Sequence, residues 1–173
     1  SNERDYVLGT HDAEVERLGL QHAVWRAHAH AAWQRAGFTL GQRIMDVGCG
    51  PGYAALDLAE LVGPGGEVIG VDRSQRFLTV ARERARLRNL SWLRFHEQDL
   101  DEEKLPVRDA SAAWCRWVFA FVRQPRALLD RIAEALAPGG VLVLHEYFDY
   151  GTWRLAPRSE GFERFVAAVM ERW

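Results

Sequence analysis

The 173-residue chain has few cysteines, no long apolar run and no excess of basic residues, and each of these features argues against a class of protein. Its two cysteines, Cys49 and Cys115, are too few for the disulfide framework of a small secreted domain. No apolar run approaches the ~18 residues of a membrane-spanning helix, so we expect no membrane partner. Basic residues are not in excess, since the net charge is −2 and the isoelectric point about 6.3, which argues against a nucleic-acid partner. No signal-peptide pattern opens the chain, and we therefore expect a cytoplasmic protein.

The most informative segment is the glycine-rich turn at residues 46–52, which reads Asp-Val-Gly-Cys-Gly-Pro-Gly. A short apolar strand beginning at Arg43 leads into the turn, and a segment with helical spacing follows from Tyr53. Glycines let a ligand approach the backbone closely, and a helix N-terminus offers unpaired N–H groups and the positive end of a dipole. The turn is therefore a predicted binding site for a nucleotide-like ligand.

A second acid helps to define that ligand. The strand predicted over 67–71 ends in Asp72, 20 residues after Gly52, which is the spacing at which such an acid reaches a ribose. Asp46 precedes the turn, and Tyr53 stands where a dinucleotide motif requires glycine. A carboxylate at Asp46 repels a pyrophosphate and attracts an ammonium group. The pattern thus favours a nucleoside that carries a cationic amino-acid tail.

Residues 40–146 resemble the class I S-adenosylmethionine-dependent methyltransferases of the small-molecule type. Five segments carry the resemblance in order: the turn at 46–52, Asp72, Asp99 after the third strand, the fourth strand with its following turn at 112–117, and the glycine turn at 136–140 before the strand at 141–146. The resemblance implies an α/β fold with a doubly wound, mostly parallel Rossmann-like sheet. It also implies an enzyme with S-adenosyl-L-methionine as cofactor, S-adenosyl-L-homocysteine as product and a small-molecule methyl acceptor as partner.

The resemblance further implies which residues bind the cofactor. The predicted contacts are Asp46, Gly48, Gly50 and Arg116 for the methionine end, Asp72 for the ribose, Arg73, Asp99 and Leu100 for the adenine, and Tyr6 from an N-terminal segment that covers the cofactor.

The chain is predicted to have three parts: an N-terminal cover segment and helix at 1–37, the cofactor-binding core at 38–146, and an aromatic-rich substrate-side segment at 147–173. Helices are expected over 14–36, 75–88 with Ser74 as N-cap, 126–137 and 160–173. The apolar side of the first helix is expected to include Leu18, Val24, Trp25, Ala29, Ala32 and Trp33. The aromatic residues expected to form a lid over an apolar acceptor are Tyr147, Phe148, Tyr150, Trp153, Phe162 and Phe165.

The sequence leaves the catalytic residues open. His145 and Glu146 end the fifth strand, and either could deprotonate a substrate hydroxyl, although local hydrogen bonding is the favoured interpretation. The histidines at positions 22, 28 and 30 do not share one helix face and do not predict a metal site. Two alternatives stay open: an NAD-dependent oxidoreductase, and a non-catalytic module that binds S-adenosylmethionine.

Folds of the resembled kind have seven strands, whereas only residues 147–173 follow the fifth strand here. That strand, Val-Leu-Val-Leu-His, contains no charge or proline that would protect an exposed edge. We therefore expect C-terminal strands to be missing from the chain, with native sequence beyond Trp173. A partner subunit in a homodimer is the alternative occupant of the edge. We also expect the last helix to pack on the sheet through Phe162, Phe165, Val166 and Val169.

Overall fold

A computed structural model describes residues 11–172 of the chain, which form a parallel sheet flanked by helices. The strands are β1 (Arg43–Val47), β2 (Glu67–Asp72), β3 (Leu93–Glu97), β4 (Ala110–Arg116) and β5 (Leu136–His145). The helices are α1 (Asp12–Arg35), α2 (Tyr53–Val62), α3 (Gln75–Leu87), α4 (Pro125–Ala135) and α5 (Glu160–Arg172), with a short 3₁₀ helix at Tyr150–Thr152. None of the helices in this part of the chain is long and apolar enough to cross a membrane.

The strand order is β3-β2-β1-β4-β5, and every neighbouring pair is parallel. The predicted doubly wound α/β fold is confirmed. The chain runs outward from β1 to β3 and then returns to the other side of β1 to form β4. Ligands bind at such a switch point, outside the carboxyl ends of the strands.

Both faces of the sheet are buried, which explains why the central strands are almost continuously apolar. Alternate side chains of one strand point to opposite faces, so Ile44 and Met45 belong to different cores. Helices α1, α2 and α3 cover one face, where the largest buried side chains include Trp33, Leu58, Leu78 and Trp114. Helix α4 covers the other face with Leu128 and Ile132.

Helix α3 forms as the sequence predicts. The Ser74 hydroxyl oxygen accepts a hydrogen bond from the backbone N–H of Phe77 at 3.2 Å, which satisfies one of the free donors of the first turn. The buried stripe of this helix consists of Phe77, Leu78, Ala81 and Ala85. At the N-terminus of α2, Gly52 has φ +81°, and a Cβ there would lie 2.7 Å from the Cβ of Ala81. Glycine at this position therefore permits α2 and α3 to pack closely.

The buried side of helix α1 agrees only in part with the predicted one. Ala29 and Trp33 are buried as predicted, whereas Val24 is 71% exposed, and Val15 and His22 are buried as well. The prediction followed apolar side chains only, and it missed that a paired polar side chain can occupy the buried face.

The polar partner of α1 is Asp57, a buried acid on helix α2. Its Oδ2 lies 2.7 Å from Nε of Arg26, 3.1 Å from Nε2 of His22 and 3.1 Å from Nε2 of His30, and Oδ1 accepts from Nη2 of Arg26 at 3.0 Å. Burial alone would raise the pKa of Asp57, but the hydrogen bonds from His22, Arg26 and His30 lower it far below its usual value. Asp57 therefore remains an anion and joins α1 to α2.

The junction between α4 and β5 also differs from the prediction of a helix that continues to residue 137. Helix α4 ends at Ala135, because Pro138 and the glycines after it cannot continue it, and β5 begins at once. β5 pairs with β4 at Leu136 and again from Val141, and the register shifts between these pairs. The predicted glycine turn is therefore a bulge within a strand, with Gly139 at φ +80°.

The predicted packing of the last helix on the sheet is wrong for Phe165, which is 55% exposed. Helix α5 packs mainly against the 3₁₀ helix, and Phe162 stacks on Trp153 with ring centroids 6.5 Å apart. Val166 is the buried residue of this helix. β5 lies at one edge of the sheet.

We expect Asp57→Ala to lower the free energy of unfolding by about 3 kcal/mol, because it leaves His22 and Arg26 without their anion in a partly dry site. Urea unfolding followed by circular dichroism measures the change. Asp12→Ala is the matched control, since Asp12 also pairs with an arginine, Arg76, at 2.6 Å but is largely exposed. The control should cost less than about 1 kcal/mol. Equal losses in the two variants would contradict the role given to Asp57.

Candidate cofactor-binding cleft

One cleft opens at the carboxyl ends of the strands on either side of the switch point. It brings together eight residues that the sequence predicts for cofactor binding: Asp46, Gly48, Gly50, Asp72, Arg73, Asp99, Leu100 and Arg116. The ninth, Tyr6, lies outside the described residues. The part that each residue plays in binding remains a prediction, and the geometry indicates what each can do.

The glycine turn leaves its backbone open to the cleft. The N–H groups of Gly48 and Cys49 both donate to the carbonyl of Val71, at 2.8 and 3.0 Å, which fixes the turn against β2. Gly50 has φ +53°, a conformation that disfavours a side chain, and no atom lies within 4 Å of the position that its Cβ would take. A ligand can therefore lie directly on the backbone at Gly50.

Asp72 is held by the turn and keeps capacity for more hydrogen bonds. Oδ2 accepts from the N–H of Gly50 at 2.9 Å, and Oδ1 accepts from the N–H of Ser74 at 2.8 Å. Burial raises the pKa of Asp72, and the hydrogen bonds from the backbone N–H groups of Ser74, Gly50 and Arg73, together with the charge of Arg73, oppose the rise. The carboxylate of Asp72 lines the cleft, where it can accept hydrogen bonds from the hydroxyls of a ribose.

Asp46 is a buried acid with an unsatisfied oxygen. Its side chain is 2% exposed, and Oδ2 has no hydrogen-bond partner. Burial raises the pKa of Asp46 to about 7, although the nearby charge of Arg116 lowers it. Buried polar atoms without partners are rare in native proteins and call for an explanation. A ligand ammonium group in the cleft would supply the missing donor.

Arg116, at the end of β4, has a donor without a partner, whereas Asp46 has an acceptor without one. Its Nη2 lies 3.0 Å from Nδ1 of His22, and its guanidinium carbon lies 4.9 Å from the ring centroid of Trp117. Its Nη1 is buried and has no hydrogen-bond partner. A buried acid and a partly buried cation, each with a hydrogen-bonding atom that has no partner, thus face one cleft. This pair complements a zwitterion, the form of a free amino-acid group.

The far end of the cleft is formed by the turn after β3. Oδ1 of Asp99 accepts from the N–H of Asp101 at 2.9 Å, and the Asp99 carbonyl accepts from the N–H groups of Glu102 and Glu103. Leu100 is buried beside it. This end offers a carboxylate next to an apolar surface, which fits a heteroaromatic ring with an exocyclic amino group.

The remaining wall is apolar and aromatic. Trp117 follows β4 with a positive φ of 55°, an uncommon conformation for a bulky residue, and its ring stacks on Tyr147 with centroids 5.8 Å apart. No sequence motif predicted the other residues of this wall and of helix α1, namely Arg17, Leu18, Gln21, Val118, Phe121 and Val122. Leu18 was predicted as core, and no local motif distinguishes the others.

The predicted aromatic lid is mostly wrong. Of the described side chains of that set, only Tyr147 lines the cleft, and Phe148 is 99% exposed. The ring of Trp153 stacks on Phe162 of the terminal helix and takes no part in the cleft wall.

The two candidate bases stand behind the cleft wall and are not among its lining residues. Oε1 of Glu146 accepts from the backbone N–H groups of Val118 and Phe119 at 2.8 and 3.2 Å, so this carboxylate shapes the loop after β4. The His145 ring packs against Trp25 and Trp117, with centroids 5.1 and 5.2 Å apart, and burial lowers its pKa. Within the described residues, no cluster of three or more histidine, cysteine or acidic side chains could hold a metal ion.

The fold and the cleft define a Rossmann-like protein that can hold a nucleoside with a zwitterionic tail. The family described as a methyltransferase domain matches residues 39–157. The chain is 35% identical to the demethylmenaquinone methyltransferase of Tropheryma whipplei, over 92% of this chain and 70% of that protein. The chain belongs to the class I S-adenosylmethionine-dependent methyltransferases.

Solved structures agree with this membership. Coclaurine N-methyltransferase, bound to N-methylheliamine and S-adenosylhomocysteine, matches 69% of this chain with a TM-score of 0.63 and 25% identity. The cyclase SpnF matches 66% of the chain with a TM-score of 0.60 and 29% identity. The chain spans 35% and 42% of the lengths of these two proteins.

The raised pKa of Asp46 predicts a pH dependence of stability. Its pKa is 3.8 in an unfolded chain and about 7 in the fold, so the protonated form stabilises the ligand-free protein below pH 4, and this contribution is lost as the pH rises through 7. We expect the free energy of unfolding of the wild type to fall relative to Asp46→Asn between pH 4 and 7.5, by at most about 4 kcal/mol. Urea unfolding across this range measures it. A constant difference between the two proteins would contradict the burial of a titrating Asp46.

Proposed function

We propose that this protein transfers the methyl group of S-adenosylmethionine to a small, apolar aromatic acceptor, and that the acceptor is a hydroquinone. The observation that carries the cofactor half of the proposal is the pair of buried, unpartnered atoms, Oδ2 of Asp46 and Nη1 of Arg116. They match the ammonium and carboxylate groups of the methionine end. When bound, the cofactor supplies a methyl group on a positively charged sulfur.

The residues of the chain bind and orient the reactants. Asp46 and Arg116 would hold the amino-acid end, Gly50 would permit close approach of the backbone, and Asp72 would accept from the ribose hydroxyls. Asp99 would accept from the adenine amino group beside Leu100. The rings of Trp117 and Tyr147 would lie on the acceptor side, where aromatic faces attract a positively charged centre.

The cleft can promote methyl transfer by holding the two reactants in the right positions. Aligning the two reactants and excluding water can lower the barrier by several kcal/mol, on the order of 7–11 kcal/mol in the best oriented cases. Glu146 is used by the loop after β4, and His145 lies behind aromatic rings, so neither is proposed as a catalytic base. Helix α1 covers the cleft through Leu18 and Gln21 and would keep water from the reacting atoms.

Two observations support the acceptor class. The cleft wall beside the methionine end is lined by Leu18, Trp117, Val118, Phe121, Val122 and Tyr147. The relative from Tropheryma whipplei is a demethylmenaquinone methyltransferase. A flat, mostly apolar ring with hydroxyl groups fits such a wall better than a charged acceptor does. Methyl transfer to a ring carbon would form a carbon–carbon bond as the bond between the methyl group and sulfur breaks, and the proton of that ring carbon would pass to solvent water.

The alternatives remain distinguishable. An NAD-dependent oxidoreductase is disfavoured because Asp46 would face a pyrophosphate across the turn. A module that binds the cofactor without transferring the methyl group would contain the same cleft. A homodimer and a cytoplasmic location are further proposals that rest on the sequence.

Incubation with S-adenosylmethionine labelled in its methyl group tests the proposal. With a short-tailed 1,4-naphthohydroquinone kept reduced, we expect label in the organic extract and one S-adenosylhomocysteine for each methyl transferred. The oxidised quinone, which is poorer in electrons, is the matched control and should remain unlabelled. Cofactor binding without label in any hydroquinone would contradict the acceptor class, and tighter binding of NAD than of S-adenosylhomocysteine would contradict the cofactor.

We expect Asp72→Ala to weaken S-adenosylhomocysteine binding by about 2–3 kcal/mol, since it removes charge-assisted hydrogen bonds to two hydroxyls. Asp99→Ala should cost less, because one amino group is contacted in place of two hydroxyls. Asp130→Ala, an exposed change on α4, is the control and should bind like the wild type. Titration calorimetry measures all three. A larger loss for Asp99→Ala than for Asp72→Ala would mean that the ribose and adenine ends are wrongly assigned.

A further inference from the structure

We propose that His22 is a positioning residue for the cofactor: it orients the Arg116 guanidinium toward the carboxylate of the methionine end, and Asp57 fixes the ring of His22 for this task. The inference rests on the proposed binding of S-adenosylmethionine. It adds a chain of three side chains that runs from helix α2 through helix α1 to the end of β4.

The direction of each hydrogen bond follows from chemistry. A guanidinium only donates, so Nη2 of Arg116, 3.0 Å from Nδ1 of His22, makes that nitrogen the acceptor. Nδ1 therefore has no proton, and the proton of the neutral ring is on Nε2. Nε2 in turn donates to Oδ2 of Asp57 at 3.1 Å. The three side chains thus form one consistent sequence of donors and acceptors.

Asp57 is suited to fixing this tautomer. It is buried, and the donors His22, Arg26 and His30 keep it ionised, since its pKa is well below the usual value despite its burial. An anion next to Nε2 favours the proton on that nitrogen and leaves Nδ1 free to accept. His22 is itself buried, and its ring stacks on Tyr53 with centroids 5.8 Å apart, so it cannot turn to exchange its partners.

As a consequence, Nη2 of the Arg116 guanidinium is bound to His22, and Nη1 has no partner. The Trp117 ring lies against the Arg116 group, with the guanidinium carbon 4.9 Å from the ring centroid, and the bond to His22 restricts the rotation of the group. Nη1 is then the nitrogen left without a partner in the buried part of the cleft. Orienting this long side chain before the ligand arrives removes an ordering cost from binding.

The sequence contains a signal for the arrangement. Positions 22, 26 and 30 are four residues apart, so His22, Arg26 and His30 lie on one face of α1 and can meet one acid. Of these three, only His22 also reaches Arg116. His30 therefore offers a control that disturbs Asp57 without touching Arg116.

Two ligands separate positioning from general stability. S-Adenosylhomocysteine carries the amino-acid carboxylate, and 5′-methylthioadenosine has the same nucleoside and sulfur without it. By calorimetry, His22→Phe should weaken the first by about tenfold and change the second by less than about twofold. His22→Gln, whose amide can accept from Arg116 and donate to Asp57, should restore most of the affinity. His30→Phe should bind both ligands like the wild type, even where its melting temperature falls.

A cycle with Arg116→Lys completes the test, and the Arg116→Lys variant on its own gives a result that does not depend on the folding of His22→Phe. Arg116→Lys keeps the charge but not the planar fork, so on its own it should selectively weaken S-adenosylhomocysteine. In its background, His22→Phe should add little. Equal losses for the two ligands, a loss in His30→Phe as large as in His22→Phe, or an unaffected Arg116→Lys would overturn the proposal. A wild type that binds neither ligand would instead overturn the proposed function on which it rests.

Discussion

The carboxyl group of Asp46 is buried at the end of β1, and one of its oxygens has no hydrogen-bond partner within the fold. The arrangement of the cleft follows from this one electrostatic feature. The parallel order of the sheet produces this position, because the strands on either side of β1 end at the same edge. The glycine turn follows at once and withholds side chains that could fill the space, and Arg116 stands across it. A fold that leaves two opposite charges incompletely paired in one cleft is stabilised by a zwitterionic ligand.

Helix α1 supplies the second half of the arrangement. Three side chains of α1 bind the buried anion Asp57 on α2, and these hydrogen bonds hold α1 beside the cleft. One of the three, His22, also contacts Arg116. The network that attaches this helix thus also orients a group in the cleft. The same few atoms therefore stabilise the packing of α1 and orient a ligand-binding group. Ligands that differ only in the amino-acid end are needed to separate these two roles.

Features that depend on local sequence were predicted correctly. Features that depend on contacts between distant residues were not. The glycine turn, the acids that end β2 and follow β3, and the capped helix α3 follow from spacing and residue type, and the structure shows the sheet and helices expected from them. The predicted side of α1 was right for Ala29 and Trp33 but missed His22, because hydropathy does not reveal that His22 has a partner 35 residues away. The aromatic lid was wrong because aromatic content does not show which surface a segment contacts.

Proton release on ligand binding tests whether Asp46 receives the ammonium group of the cofactor. Burial raises the pKa of Asp46 to about 7, so a fraction of the ligand-free protein carries this proton near pH 7, and a bound ammonium group would ionise the carboxyl group. Calorimetry in buffers of different ionisation enthalpy should show proton release when S-adenosylhomocysteine binds at pH 7, and none for 5′-methylthioadenosine, which lacks the ammonium group. Equal proton release for the two ligands, or none for either, would contradict this role of Asp46.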